Sequence, residues 1–476
     1  MKKLRVAILT SEAMPFAKTG GLADVAGALP RALRDAGADV MLVMPLYAQV
    51  DRALLDELVF DNLEVEWRGA LRRTRVLYSF ATGAPTFLID APDYFARPSI
   101  YGFGDDHERF AFFSRAALAL LKRMGEPPDI LHGNDWPCGF AAAELRRSPD
   151  PFFARTRSIF SIHNLAYQGA FDPGDLWVLG FGSKEDADAF LLNGTASALK
   201  AGLMTSDALS TVSRRYALEI QTPEQGCGLD WLLRARSDRL VGITNGVDYS
   251  VWNPQTDPHI AAHFSADDLS GKRACKLDLL SRFGLPQEAE RPVFAVISRL
   301  VAQKGYDLIR EVMAELLQAG VFFIALGAGE CEYEDFLRAL QRRAPERVGV
   351  YVGYAGEPLA HQIEAGADIF LMPSLYEPCG LNQMYSMRYG TVPVVRATGG
   401  LDDTVEDFDP ASGAGNGFKF RDYRASALLE KIGEALYCYK EPQIWSRIQT
   451  NGMRTDNSWS AAAQKYLNLY RSVTGL

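Results

Sequence analysis

"VFAVISRLVAQKGYDLIREVMAELLQAGVFFIALGAG" occupies residues 293–329. It opens on an apolar run of strand length. "GYDLIREVMAELLQAG" then places apolar residues at helical spacing and stops at a glycine, and "VFFIALGAG" is a second apolar run. Near-continuous apolar strands joined through a helix predict parallel strands covered on both faces. The same rhythm continues downstream: "EDFLRALQRRAPERV" reads as a helix, and "VGVYVGY", "ADIFLMPS" and "TVPVVRAT" as strands. It also runs upstream, through "LRVAILTSE", the helical "LADVAGALPRALRDAG" ending at Gly37, "ADVMLVMP", "DILHGNDW" and "RSIFSIHN". Two doubly wound α/β units follow from this pattern.

The rhythm pauses between about residues 250 and 290, where "VWNPQTDPHIAAHFSADDLSG" is rich in Pro, Asp and Ser. A hinge is expected near residues 243 to 250. The expected division is a first Rossmann-like domain over 1–245, a second over 246–456, and a C-terminal helix over 457–476. That tail, "NSWSAAAQKYLNLYRSV", sets Trp459, Ala463, Tyr466, Leu467 and Tyr470 along one face, suited to closing the second domain or, as expected here, to packing back onto the first. A length of 476 residues agrees with two or three domains.

Composition narrows the function. The net charge is −9 and basic runs are missing, which argues against nucleic acid or an anionic membrane as partner. No apolar run approaches the roughly 20 residues of a membrane helix. The apolar opening is cut by Ser11 and Glu12, so it reads as a buried strand, and a cytoplasmic protein is expected. Six cysteines lie far apart without a CxxC, supporting neither a zinc site nor a disulfide framework. The triplets "DAD" (Asp186, Asp188) and "DFD" (Asp407, Asp409) read as accidents of an aspartate-rich chain, and no metal is expected.

In open α/β sheets ligands collect beyond the carboxyl ends of the strands. "KTGGLAD" (18–24) and "TGGLDD" (398–403) both follow a strand and open a helix. One such glycine turn is usually just a turn, but two near-copies, one per unit, suggest backbone N–H groups offered to an anion. Lys18 precedes its glycines, whereas a Walker lysine follows them. Arg299 and Lys304 follow a strand as two cations, and "EPCGLNQ" (377–383) turns at Gly380 into a helix start at Leu381 and Asn382. Together these point to a diphosphate. Cys379 lies beside that turn without an assigned base and reads as a small residue that fits it. "PDYFARPSIYGFG" (92–104) is an aromatic loop, equally suited to stacking on sugar and to local packing.

"SEAMPFAKTGGLADV", "HGNDW", "SIHNLAYQG", "TNGVD", "SRLVAQKG", "SLYEPCGLNQ" and "ATGGLDDTV" occur in this order across nearly the whole chain. Together they resemble the bacterial and plant glycogen/starch synthase family, retaining glycosyltransferases of the GT-B fold. The resemblance implies two Rossmann-like domains facing a cleft. It also implies transfer of glucose from ADP-glucose to the non-reducing end of an α-1,4-glucan, without metal or prosthetic group. It assigns His163, Glu377, Asp135 and Lys18 to the catalytic centre: His163 near the transferring sugar, Glu377 on sugar hydroxyls, Asp135 and Trp136 toward the acceptor. Arg299 and Lys304 fall on the diphosphate, Gly380, Leu381 and Asn382 around the distal phosphate, and Tyr354 against the adenine. Gly20 and Gly21 approach the donor from the first domain. Asp24, Asn164, Asn245, Cys379, Thr398 and Gly399 are further substrate-binding positions, and Tyr94 with Trp136 the acceptor candidates. The paired glutamates of many related transferases are incomplete, because the position eight residues after Glu377 is Tyr385. A simple two-glutamate mechanism is thereby excluded. Same-face attack is the favoured route to retention, with Asp135 as nucleophile or base the alternative. Another retaining transferase, using UDP-glucose or a small acceptor, is the competing enzyme reading, and a two-lobed sugar-binding module the non-enzymatic one.

Overall fold

The computed structural model describes residues 3–353 and 356–475. The chain divides into two compact units, Met1–Gly246 with Trp459–Leu476, and Val247–Ser458.

The first unit is built on a nine-stranded sheet. Its parallel part runs, edge inward, Leu240–Gly242, Ala208–Thr211, Arg157–Ile162, Ile130–Asn134, Arg5–Leu9, Asp39–Pro45 and Thr86–Asp90. Chain order reverses between Arg5–Leu9 and Ile130–Asn134, which makes that the switch point of a doubly wound sheet. The central strands are buried on both faces, as their apolar runs require.

An antiparallel hairpin, Glu57–Trp67 with Ala70–Ser79, extends the far edge. This differs from the purely parallel sheet that the alternation predicts. Its turn is Arg68–Gly69, with φ of 52° and 73°, the double positive φ of a tight hairpin connection. The charged outward positions of these strands keep the edge soluble.

The tail forms the helix Trp459–Thr474, which packs against the helix Gly21–Asp35. All five residues of its apolar face are buried in the first unit's core. Tyr470 also donates or accepts at His132 Nδ1 (2.8 Å), whose Nε2 meets Ser161 Oγ (2.6 Å). Burial drives His132 down to about 3, so it is neutral and structural.

The second unit is a six-stranded, all-parallel sheet in the order Val348–Val352, Phe322–Gly327, Val293–Ile297, Ile369–Met372, Val392–Arg396, Phe418–Phe420. Its switch point lies between Val293–Ile297 and Ile369–Met372, so the Val293–Ile297 strand carries the loop where a ligand is expected. Among the described residues no helix is long and apolar enough to cross a membrane. The aspartate triplets are absorbed locally: Asp186 completes a capping box with Ser183, and Asp409 accepts from Ala411 and Ser412.

Candidate active site

In the first unit, the strands flanking the switch point end in Thr10–Gly20 and in Asp135–Trp136, and the next strand ends at His163. These three loops bring together residues more than a hundred positions apart.

Asp135 sits at φ 53° and ψ −179°, a strained backbone conformation that residues other than glycine seldom adopt. The bend turns its carboxylate back onto the next strand, where it accepts from the N–H of His163 (2.7 Å) and of Asn164 (3.4 Å). Burial dominates over these bonds and pushes the carboxyl up to about 7, with nearby Glu12 adding to the rise. The His163 ring is held by Asn134 Oδ1 (2.9 Å), and burial lowers it to about 4. His163 is therefore a neutral imidazole at neutral pH, suited to donating or accepting one hydrogen bond rather than to carrying charge. Asn164 is half-buried and accepts from Ala166 N–H through Oδ1 (3.1 Å).

The first glycine turn differs from its expectation. Thr19 N–H and Gly20 N–H do not point outward; both donate to Glu12 Oε2 (2.5 and 3.2 Å), and Thr19 Oγ1 bonds the same carboxylate. Lys18 Nζ is paired with Asp24 Oδ1 (2.7 Å), one turn into the helix that begins at Gly21. The pair is partly exposed, so it holds Lys18 weakly. Asn245 is buried and its Oδ1 has no hydrogen-bond partner among the described residues. An orphan acceptor of this kind is what a ligand donor would satisfy.

The aromatic loop resolves toward packing. Arg109 is fully buried beneath it, donating to the carbonyls of Tyr94 (2.6 Å) and Ile100 (3.0 Å) and to Asp106, with Phe95, Phe103 and Phe110 around its guanidinium. Tyr94 stacks on Phe112 (4.6 Å) and reaches Glu108 with its hydroxyl (3.3 Å), so one ring face is already taken. That contact favours the local-packing reading of Tyr94. Trp136 packs edge-on to Phe110 and against Gly169, where a side chain would strike the indole.

In the second unit, the loops after the two switch-point strands are tied together. Lys304 Nζ meets Glu377 Oε2 at 2.5 Å, and Ser374 Oγ donates to the same oxygen (3.1 Å). Gln303 donates to Tyr376 O (3.1 Å) and accepts Leu375 N–H through its carbonyl (2.8 Å). Gly305 makes this approach feasible: its φ is 75°, and a Cβ there would lie 2.2 Å from Pro373 O. Arg299 is exposed beside this pair, its guanidinium 3.4 Å from Gln303 Oε1. Gly380, at φ 71°, turns the chain into the short helix Asn382–Arg388, with Leu381 before it. Cys379 is buried in the turn and its carbonyl accepts from Gln383 (3.2 Å).

The second glycine turn also departs from its reading. Thr398 is buried, and Gly400 N–H donates to the carbonyls of Glu377 (3.1 Å) and Pro378 (3.2 Å). A Cβ on Gly399 would lie 1.9 Å from Glu377 O, and one on Gly400 2.0 Å from Cys379 O. This copy therefore backs the Glu377–Gly380 turn rather than offering its N–H groups to a ligand. Tyr354 lies outside the described residues. Glu12 and Asn134 are the partners that motif reading passed over. Both stand inside quoted motifs, but only the folded sheet brings Glu12 to the turn seven residues on and Asn134 to His163 on the neighbouring strand.

Comparisons with known proteins cover the same ground. Residues 5–235 match the family described as starch synthase catalytic domain, and residues 280–451 match glycosyl transferases group 1. A glycogen synthase of Koribacter versatilis (strain Ellin345) is 45% identical over 483 residues, spanning 99% of this chain and 98% of that protein. One from Anaeromyxobacter sp. (strain Fw109-5) is 46% identical over 479 residues, spanning 99% of each. Among solved structures, the catalytic domain of Starch Synthase IV from Arabidopsis thaliana, bound to ADP and acarbose, aligns over 100% of both chains with a TM-score of 0.92 and 33% identity. Sucrose-phosphate synthase from Thermosynechococcus elongatus aligns over 99% of this chain with a TM-score of 0.63 at 18% identity, a likeness of fold.

Proposed function

Because the chain belongs to the glycogen synthase family and is a glycosyltransferase, we propose that it transfers glucose from ADP-glucose to the non-reducing end of an α-1,4-glucan, retaining configuration and releasing ADP. The observation that carries this reading is the Lys304–Glu377 pair at the switch point of the second sheet, with Arg299 beside it. It sets two cations and a buried carboxylate where a sugar diphosphate needs them.

Breaking the glucose–phosphate bond builds negative charge on the leaving oxygen and positive charge on the ring. Arg299 and Lys304 meet the first demand as pre-positioned cations, aided by the N–H groups of the Gly380–Asn382 turn. Glu377 takes sugar hydroxyls and, being paired with Lys304, keeps its own charge balanced. In the first unit, Lys18 acts as a donor-site cation and neutral His163 as the partner of a sugar hydroxyl. Asn245 supplies its unpaired acceptor, Asp24 sets Lys18, and Asn164 lines the site next to His163. Asp135 and Trp136 serve the acceptor. Thr398 and Gly399 act through the Glu377 turn behind which they pack.

Retention follows from attack on the face that the phosphate leaves, the departing oxygen accepting the acceptor's proton. No second carboxylate flanks Glu377 eight residues on, where Tyr385 stands. A cytoplasmic location belongs to the same reading, as it keeps the six free cysteines reduced.

The test is to incubate the protein with ADP-glucose or UDP-glucose plus glycogen, measuring nucleotide release and chain extension. Faster turnover with ADP-glucose is expected. Preference for UDP-glucose, or transfer only to a small acceptor, would reassign donor or acceptor. Oligosaccharide binding without nucleotide release would make the protein a binding module.

A further inference from the structure

Glu12 is only 4% exposed, yet among the described residues no lysine or arginine forms an ion pair with it. Its carboxylate is satisfied instead by the N–H and hydroxyl of Thr19, the N–H of Gly20 and the hydroxyl of Tyr101 (3.0 Å). Bonds to an ionised acceptor are about twice as strong as neutral ones. Four of them on one side chain add to the backbone bonds of Ala13–Ala17 and fix the segment at Thr19 and Gly20. That segment carries Lys18.

Gly20 adds an independent sign. Its φ of −153° is extended backbone open to any residue, and a Cβ there would meet no atom of the described residues within 4 Å. The fold itself therefore does not demand glycine at 20. Open space over a rigidly held backbone, beside a cation, is what a ligand's close approach requires. The N–H groups of Thr19 and Gly20 are meanwhile committed inward, so the open side of Gly20 can serve only as a flat surface.

We infer that Glu12 is a positioning residue for the donor: it clamps the Thr19–Gly20 backbone so that Lys18 and the bare face of Gly20 are presented to the sugar nucleotide. The clamp acts through the turn and does not touch the substrate. It also joins that turn to Tyr101, whose hydroxyl bonds both Glu12 and Ser11 (2.7 Å). The inference rests on the proposed donor role of Lys18.

The test compares the parent with Glu12→Gln, Glu12→Ala, Lys18→Gln and the Glu12→Ala/Lys18→Gln pair. Hydrogen–deuterium exchange over residues 16–22 and steady-state kinetics are measured on the full chain. Glu12→Ala should speed exchange at Thr19 and Gly20 and lower kcat/KM for ADP-glucose about 30-fold, leaving KM for glucan in place. Glu12→Gln keeps one acceptor oxygen and should recover most of that loss. In the Lys18→Gln background, Glu12→Ala should add less than about 3-fold, because the residue being positioned is already gone. Full additivity, a change confined to glucan KM, or unchanged exchange in Glu12→Ala would each overturn the inference. Should the parent use UDP-glucose instead, the donor assignment fails, and the same cycle read with that donor still decides the clamp.

Discussion

Replacing Asp135 by Asn should make the protein more stable and less active, and the gain should depend on pH in a set direction. Asn has the same shape as Asp, so it adds no new strain at the positive φ of residue 135, and its amide oxygen can still accept from His163 N–H. What the variant removes is a buried charge. The carboxyl moves from 3.8 in the open chain to about 7 in the fold, roughly three units at about 1.4 kcal/mol each. A raised value means that the folded state favours the protonated form. The stability is therefore complete below about 3.8 and falls as pH rises through 7. Above that, the parent carries a penalty on the order of 4 kcal/mol that the variant lacks. Denaturant unfolding of parent and variant from pH 4 to pH 8.5 measures the difference. The variant's advantage should be largest near pH 8 and shrink to less than half by pH 5. Activity should move the other way, with an acid limb near pH 7 in the parent's kcat/KM that the variant loses along with most of its rate. Parallel stability curves across that range would refute a strained, buried carboxylate at 135.

His163→Ala should lower kcat on the order of 100-fold while raising donor KM far less, and the parent should show no separate limb near pH 6.5, since the imidazole stays neutral down to about 4. Steady-state kinetics across pH give both readings, and a change mainly in KM would assign the ring to ground-state binding. Lys304→Ala strands Glu377 in a buried site and should destabilise the second unit by about 3 kcal/mol. Adding Glu377→Ala should recover part of that stability in urea unfolding without recovering activity; failure of the recovery would mean that the pair is not energetically linked. The two glycine turns should respond differently to alanine. Gly20→Ala meets no atom of the fold and should leave stability within about 0.5 kcal/mol while reducing donor turnover. Gly399→Ala, at φ 45° and 1.9 Å from Glu377 O, should lower both stability and turnover. Equal thermal shifts in the two variants would erase the distinction.

The sequence alone was enough for the two doubly wound units, because parallel strands buried on both faces leave an apolar run that local patterning exposes, as in Val293–Ile297 and Arg5–Leu9. It was also enough for the positions where polar residues end those strands, Asp135, His163, Arg299 and Lys304 among them. The edge hairpin Glu57–Ser79 escaped the alternation, since its strands bury only one face, at Leu63, Val65, Trp67 and Val76, and so lack the continuous apolar run of a strand covered on both sides. Partnership was decided only in three dimensions. TGGL at 19–22 and at 398–401 are the same four letters. One lies on a buried carboxylate and keeps an open face; the other butts against the backbone of residues 377–379 and has none. Likewise the aromatic stretch 92–104 offered both stacking and packing, and a buried Arg109 from the following helix decided for packing. Local sequence encodes burial periodicity and backbone permissiveness. Which group satisfies a given N–H or carboxylate depends on chain segments that meet only when the sheet forms.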